Sequence, residues 1–588
     1  MSSSTPSTCS ICLATAQARG GVPLFSPGCC GAWYHQSCID GLIAQGSKTC
    51  PMCRAALPLP ASPPIQQFQN VFQFPNVQNV QQQQAPMPNS FFNRMSNAVT
   101  SLFTPSTVPD EDMVNASATA SATPTALPTV TVNTSPEHRE VSLAENSAFH
   151  VRVNVHYEEV EALSACKVPL DVVCVLDNSG SMTGSKLDSL KKAMDFVINT
   201  LGPNDRLSVV NFNSHPTVLH GLLKMNSGNQ AVAKTHIRSL RANGGTNILE
   251  GMQQGWAALE GRRSKNPASC MFLLTDGQDR DNLQRKLDLA RTIKSSGTSL
   301  FVFGFGADHD SEHMDAIANA AEGVFTYVEA DSMVTDAFGG TIGTQQGVSL
   351  ANIQLSIGAC EHSVTISQVL AGRYSSALQG DGRGATVSFV NMFLGESRDI
   401  LLKLHMPAVA SPVDDYELLR ASVTFQVQGE PASAEPHSAQ QASTCMVQRK
   451  KEENFTAAGR GRDMEVDVQI NRLECAAAVE QALREADRNN FESARTILAT
   501  TRANLIVSPS YNAQHNTAVG LMQETDDALQ RVQNRAEYES GGRAMMQEAV
   551  SSNTYQRSCY SKAGRAKKFQ TSSSSGMQEA ACKSKGFP

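Results

Sequence analysis

The apolar positions of this chain follow two different periods, and the change from one to the other divides it into domains. Asp171-Val-Val-Cys-Val-Leu176 is a short apolar run that ends at Asp177-Asn-Ser179-Gly-Ser181, and after it Leu187, Leu190, Met194, Val197, Ile198 and Leu201 recur at helical spacing. Leu207 to Phe212, Cys270 to Leu274 and Leu300 to Phe305 repeat the strand pattern, with helical segments such as Asp279 to Ser295 between them. This alternation predicts an α/β doubly wound parallel sheet over residues 167–342, a fold that takes its ligands beyond the carboxyl ends of the strands.

On both sides of that region the period shortens to two. Phe149 to Tyr157 precedes it; Val348 to Ile357, His362 to Leu370, Thr386 to Phe393, Ile400 to His405 and Leu418 to Val427 follow it. Residues 138–166 are therefore expected to pair with 343–432 in an antiparallel β-sandwich that carries the α/β domain as an insertion. Helical patterns return at Val466 to Ala486, Phe491 to Thr501 and Gln514 to Glu539, predicting a helical domain over 463–540. Three segments lack either period. Residues 58–137, rich in Pro, Gln, Asn, Ser and Thr, bury too little apolar surface to offset ordering entropy and are expected to be a disordered linker. Residues 433–462 are expected to be a second linker, and 541–588 a disordered Ser-rich tail carrying Lys562, Arg565, Lys567 and Lys568.

Residues 1–57 have neither pattern, but they are dense in soft ligands: Cys9, Cys12, Cys29, Cys30, His35, Cys38, Cys50 and Cys53. Zn²⁺ prefers four tetrahedral sulfur or nitrogen ligands, and a C-x2-C step grips one ion from a tight turn, so eight ligands suggest two structural Zn²⁺. So small a segment has little apolar core, and its folding should depend on metal. The ligand order resembles a RING finger, a cross-brace in which Cys9, Cys12, His35 and Cys38 would hold one zinc and Cys29, Cys30, Cys50 and Cys53 the other. Ile11, Pro51 and Arg54 fall where RING-type ubiquitin ligases contact the ubiquitin-charged conjugating enzyme (E2). The resemblance implies that Arg54 bridges E2 and ubiquitin and holds the thioester in a reactive pose, a catalysis by orientation with no nucleophile of its own. Adjacent Cys29 and Cys30, with Ala32 in place of a more usual histidine, depart from the common spacing and leave open which of the two ligates.

A second metal is suggested downstream. Asp177, Ser179 and Ser181, then Thr246 in Gly-Gly-Thr-Asn, then Asp276 in Leu-Leu-Thr-Asp-Gly together resemble the metal-ion-dependent adhesion site of von Willebrand factor A domains. Such oxygen ligands suit Mg²⁺. The resemblance implies that the ion is completed by an acidic side chain from a partner protein. A lone Asp-x-Ser-x-Ser would be no more than a helix N-cap; the ordered set is far more specific. The loop after the first strand lacks a Gly-x-x-x-x-Gly-Lys phosphate cradle, which argues against nucleotide binding, and His313 and Asp315 read as solvated helix residues.

The order of finger, low-complexity linker, A domain, β module and helices resembles the RING plus von Willebrand A ubiquitin ligases of plants. It implies an E3 ubiquitin ligase whose partners are an E2, ubiquitin and a protein substrate captured by the A domain region. The alternative is a non-enzymatic scaffold, with the finger a zinc-stapled binding module and the A domain a metal-dependent interaction surface. A net charge of −7 over 588 residues gives no support for nucleic-acid or membrane binding, and no leader or long apolar span is expected. Seven of the 15 cysteines belong to the finger and the others are scattered singly, as for reduced thiols in a cytoplasmic or nuclear protein. Metal analysis of the purified protein should count two zinc ions, and Cys50→Ser should lose at least one; retention of both would exclude Cys50 as a ligand.

Overall fold

The computed structural model describes residues 128–558, apart from 161–162, 164–166, 278, 280, 307–308, 330, 362 and 431–432, together with 568–569 and two short strands near the N-terminus. The chain forms two compact units, Met1–Glu111 and Asp112–Pro588. In the first, Leu24–Phe25 pairs antiparallel with Tyr34–His35. Cys9, Cys12, Cys29, Cys30, Cys38, Cys50 and Cys53 lie outside the described residues, as do Ile11, Pro51 and Arg54; of His35 only the backbone is described.

The second unit opens with β1 (Val130–Pro136), β2 (Glu140–Ser142) and β3 (Asn146–Tyr157). The chain then leaves for the α/β layer: β4 (Leu170–Asp177), α1 (Ser185–Thr200), β5 (Arg206–Phe212), β6 (Pro216–Lys224), α2 (Ser227–Ser239) and α3 (Ile248–Glu260). It continues through β7 (Ala268–Thr275), α4 (Leu283–Ser295), β8 (Ser299–Phe305), α5 (Ser311–Ala320), β9 (Phe325–Val328) and α6 (Asp331–Gln345). The sheet order is β9-β8-β7-β4-β5-β6, parallel except for β6. Every residue of β4 is buried. Helices cover both faces of a parallel sheet, so its strands read as continuous apolar runs and not as alternating ones.

Strands of the sandwich resume at β10 (Ser349–Ala359), β11 (Thr365–Leu370), β12 (Ser375–Leu378), β13 (Gly384–Phe393), β14 (Ser397–Met406), β15 (Val413–Val427), β16 (His437–Ser438) and β17 (Ser443–Lys450). One sheet runs β12-β13-β10-β15-β17-β2 with β16 beside β15, the other β11-β14-β3-β1. Alternate residues Val151, Val153 and Val155 of β3 enter the shared core, facing a partner sheet that contributes Leu355, Val387 and Val423. The insertion is stitched at its neck, where Tyr157 Oη donates to Val348 O at 3.2 Å and Val168 N to Gln346 O at 2.8 Å.

The helices are α7 (Met464–Asp487), α8 (Phe491–Ile506), α9 (Asn516–Arg531) and α10 (Arg543–Tyr555). Their common core holds Val479, Ala482 and Leu483 of α7 against Ala494 and Leu498 of α8.

Several boundaries differ from the sequence expectation. β1 begins inside the segment expected to be a disordered linker, because Val130 and Val132 are buried and the strand pairs along its length with β3. β17 lies within 433–462 and is a sheet strand, with Cys445 and Val447 in the sandwich core. The third helix stops at Arg531, and a kinked turn with Gly541 at φ +82° leads onward. His313 Nδ1 lies 2.9 Å from Asp310 Oδ2 with its side chain largely covered, and buried Asp315 accepts hydrogen bonds from Arg373 and Gln547, both at 2.8 Å, so neither is a fully solvated residue.

The largest correction is α10, which occupies the start of the expected disordered tail. Its Ala544 and Met545 join one face of the α/β core, Met546 and Val550 the helical core, and Tyr555 the sandwich core. It also covers the open edge of the parallel sheet: Tyr327 N donates to Glu548 Oε1 at 3.2 Å and Phe325 N to Ser551 Oγ at 3.4 Å. Polar side chains make these contacts, and so no apolar period announced the helix. Fully buried Arg472 of α7 donates to Gln469 Oε1 at 2.6 Å, to Asn553 O of α10 and to Asp399 O of β14 at 3.3 Å. Arg472→Met should strand those acceptors in a dry site and lower stability by about 2–4 kcal/mol. Urea denaturation measures this, and a loss under ~0.5 kcal/mol would mean that the arginine does not join the modules.

Candidate metal centre

The register of β4 and β7 sets Leu176 beside Leu274, so the next residues, Asp177 and Thr275, meet at the carboxyl edge of the sheet, with Asp276 one step beyond. Asp177 and Asp276 are both fully buried. Each oxygen of Asp177 is held: Oδ1 accepts from Ser179 N at 2.8 Å and Oδ2 from Thr275 Oγ1 at 2.6 Å. Ser179 and Ser181 bring their hydroxyls within 3.0 Å, and Ser181 Oγ donates to Asp276 Oδ1 at 2.9 Å. The other oxygen of Asp276 takes Lys186 Nζ at 3.1 Å from the first turn of α1.

Thr246 stands on a separate loop and is outside this chain of hydrogen bonds. That loop is fixed to its neighbours through the backbone. Gly180 N donates to Gly244 O at 3.0 Å, Asn243 N to Asn178 O at 2.9 Å and Asn247 N to Asn213 O at 2.8 Å. A Cβ at Gly180 would stand 3.3 Å from Gly244 O, and Gly244 itself has φ +74°, so both glycines serve the close approach of the two loops. Asn178 anchors the arrangement by donating to Arg241 O at 2.9 Å and accepting from Asn211 Nδ2 at 3.0 Å.

Of the five residues expected from sequence, four thus form one hydrogen-bonded cluster and the fifth lies on an adjoining, backbone-tied loop. Sequence reasoning missed Thr275, although it sits inside the quoted Leu-Leu-Thr-Asp-Gly run and its hydroxyl faces Asp177. It also missed Lys186, which is remote from Asp276 in sequence.

The electrostatics favour a cation. Burial, with a smaller push from neighbouring Asp276, raises the Asp177 carboxyl from its ordinary value to about 6, against the pull of the Ser179 and Thr275 hydrogen bonds. Asp276 takes the Lys186 ammonium while Asp177 has none among the described residues, and the candidate ligands are all hard oxygens, which is the chemistry Mg²⁺ requires. Among the described residues no group of three or more His, Cys, Asp or Glu converges on one point, so a soft-metal centre has no counterpart there. No helix among the described residues is long and apolar enough to cross a membrane.

Comparison with known proteins agrees with this geometry. The sequence model of the von Willebrand factor type A domain matches residues 171–339. The chain is similar to the probable E3 ubiquitin-protein ligase WAVH2 of Arabidopsis thaliana, 24% identical over 547 residues that cover 86% of this chain and 71% of the relative. It is likewise similar to the E3 ubiquitin-protein ligase WAV3 of the same plant, at 24% identity, covering 71% of this chain and 62% of WAV3. An uncharacterized Synechocystis protein, sll0103, is 30% identical over 248 residues, 41% of this chain and 58% of its own length. In structure, a von Willebrand factor type A protein from Catenulispora acidiphila aligns with a TM-score of 0.50 at 19% identity, covering 69% of this chain and 89% of that one, which shows a shared fold.

The raised Asp177 value fixes a sign. The folded state holds the proton more tightly than the unfolded chain, so without metal this group costs nothing below about pH 4 and its full penalty is reached above pH 6. Asp177→Asn should therefore raise the Tm of metal-free protein at pH 7.5, through a gain of at most ~3 kcal/mol of stability, and lose the Mg²⁺-induced rise in Tm expected of the wild type. Calorimetry with and without Mg²⁺ checks both effects; an unchanged Mg²⁺ response in the variant would remove Asp177 from the site.

Proposed function

With residues 171–339 a von Willebrand factor A domain in a chain similar along most of its length to Arabidopsis E3 ubiquitin-protein ligases, we propose that the protein is a RING-type E3 ubiquitin-protein ligase. What carries the reading is that this likeness coincides with an N-terminal Cys/His series in RING order, complete with Ile11, Pro51 and Arg54. Cys9, Cys12, His35 and Cys38, and Cys29, Cys30, Cys50 and Cys53, would hold two Zn²⁺ whose contribution is to fold the finger. The finger recruits the ubiquitin-charged E2, and Arg54 orients the thioester toward an incoming lysine.

The A domain supplies capture. Asp177, Ser179, Ser181, Thr246 and Asp276 would hold Mg²⁺, which as a hard Lewis acid attracts a carboxylate. This chain's own part is to desolvate and orient the oxygen ligands: Thr275 and Ser179 N fix Asp177, and Ser181 and Lys186 fix Asp276. The partner is then a protein that offers an acidic side chain, in the cytoplasm or nucleus. The segment from residue 58 to the start of β1 would act as a tether and raise the effective concentration of the charged E2 around a captured substrate.

The test is self-ubiquitination of the full-length protein with activating enzyme, ubiquitin, ATP and a panel of E2s. Arg54→Ala should reduce ladder formation at least tenfold and leave the fold intact, whereas Asp177→Ala should keep self-ubiquitination and lose substrate capture. No ladder with any E2, from protein that contains two zinc ions, would replace the ligase by the scaffold reading, which the unusual Cys29-Cys30 spacing favours.

A further inference from the structure

Three loops carry the oxygen ligands, and two of the three links between them are already described: Gly180 N to Gly244 O ties the Asp177 loop to the Thr246 loop, and Ser181 Oγ ties it to Asp276. The third link, from the Thr246 loop to the Asp276 loop, is made by Asp279. Its Oδ2 accepts from Ile248 N at 2.9 Å. Ile248 is the first residue of α3, two residues after Thr246, and its N–H is one of the donors that a helix start leaves without an intrahelical partner. Asp279 Oδ1 meanwhile accepts from Asp281 N at 3.0 Å, which folds the Asp276 loop back on itself.

Behind Asp279 stands Lys286, a fully buried lysine on the first turn of α4. Its ammonium lies 3.0 Å from Asp279 Oδ2 and donates to Asp279 O at 2.7 Å, so one cation holds both the side chain and the backbone of the same residue. A buried lysine is costly unless it is paired and hydrogen-bonded, and the pairing here is local and specific.

We propose that Asp279, held by Lys286, is a positioning residue that locks the Thr246 and Asp276 loops at a common spacing and so sets the affinity of the site for Mg²⁺. The Mg²⁺ part rests on the ligand set given above; the coupling of the loops does not. Asp279 holds no ligand position itself and acts through the two loops.

Hydrogen exchange by mass spectrometry on the full chain, with Mg²⁺ absent, tests the coupling. Asp279→Ala should speed exchange in peptides covering 244–250 and 276–282 together, while those of the β-sandwich stay as in the wild type. Asp279→Asn, which keeps an acceptor for Ile248 N and loses the charge pair, should fall between the two. Acceleration in one loop alone, or in neither, overturns the proposal. Calorimetric titration with MgCl₂ supplies the second readout: Asp279→Ala should weaken Mg²⁺ binding at least tenfold, with partial rescue by Asp279→Asn, and an unchanged affinity overturns the positioning role. Should the wild type itself not bind Mg²⁺, the metal reading and the affinity claim fall together, and the exchange data alone decide the coupling of the loops.

Discussion

The sandwich, the helices and the C-terminal helix of the Asp112–Pro588 unit are joined through two arginines that water does not reach, Arg398 and Arg472. Both are fully buried, and a guanidinium in that position is costly unless most of its donors are met; both terminal nitrogens of Arg398 have partners, while its Nε has none among the described residues. Arg398 pairs with Glu396 at 2.6 Å and donates to Gln556 O at 3.3 Å, while Arg472 reaches Asn553 O. Burial draws Arg472 down to about 10, which leaves it charged at neutral pH and bound to demand its partners. Two of the arginines' partners, Asn553 O and Gln556 O, are backbone carbonyls of a segment more than 400 residues from the first strand of the same unit. Gln556 completes the join by exchanging bonds with Asp399, accepting from its N–H at 2.8 Å and donating to its carbonyl at 3.0 Å, as a neighbouring strand would.

This constraint bears on what the A domain is in this chain. Within 171–339 the parallel sheet ends at β9, whose outward N–H groups need acceptors. An unprotected edge invites pairing with other chains. Here Glu548 and Ser551 accept from Tyr327 and Phe325, and Gly541 approaches Tyr327 so closely that a Cβ there would stand 2.5 Å from its hydroxyl. The stable unit is therefore larger than the recognisable domain, and includes the sandwich at its neck and α10 at its edge.

How far the sequence foretold this follows from where the information sits. β4 was legible because burial on both faces leaves an uninterrupted apolar run, and β10 because one buried face leaves strict alternation. Asp177, Ser179 and Ser181 were legible because one loop carries them all. β1 and β17 were obscured by the Thr, Asn, Ser and Gln that flank their few core residues, and α10 by the fact that Glu548, Ser551, Ser552, Asn553 and Thr554 are buried through hydrogen bonds. Lys186 beside Asp276 and Lys286 beside Asp279 are products of tertiary geometry, and a surface lysine and a buried one look the same in a sequence.

The cluster at the sheet edge also has the chemistry of binding and not of turnover. Ser181 donates to a carboxylate, which superficially resembles a nucleophile and its base, yet that carboxylate is shared with the Lys186 ammonium and is itself fully buried. A serine nucleophile needs a base poised near neutral pH and donors aimed at a developing oxyanion. Asp177, whose value of about 6 comes nearest, has both oxygens engaged, by Ser179 N and by Thr275. Its charge is held where it is costly, and a cation brought to the cluster relieves that cost. The oxygens of Asp177 and Asp276 are thus already oriented, by Ser179 N and Thr275 on one side and by Ser181 and Lys186 on the other, before any ligand reaches the cluster.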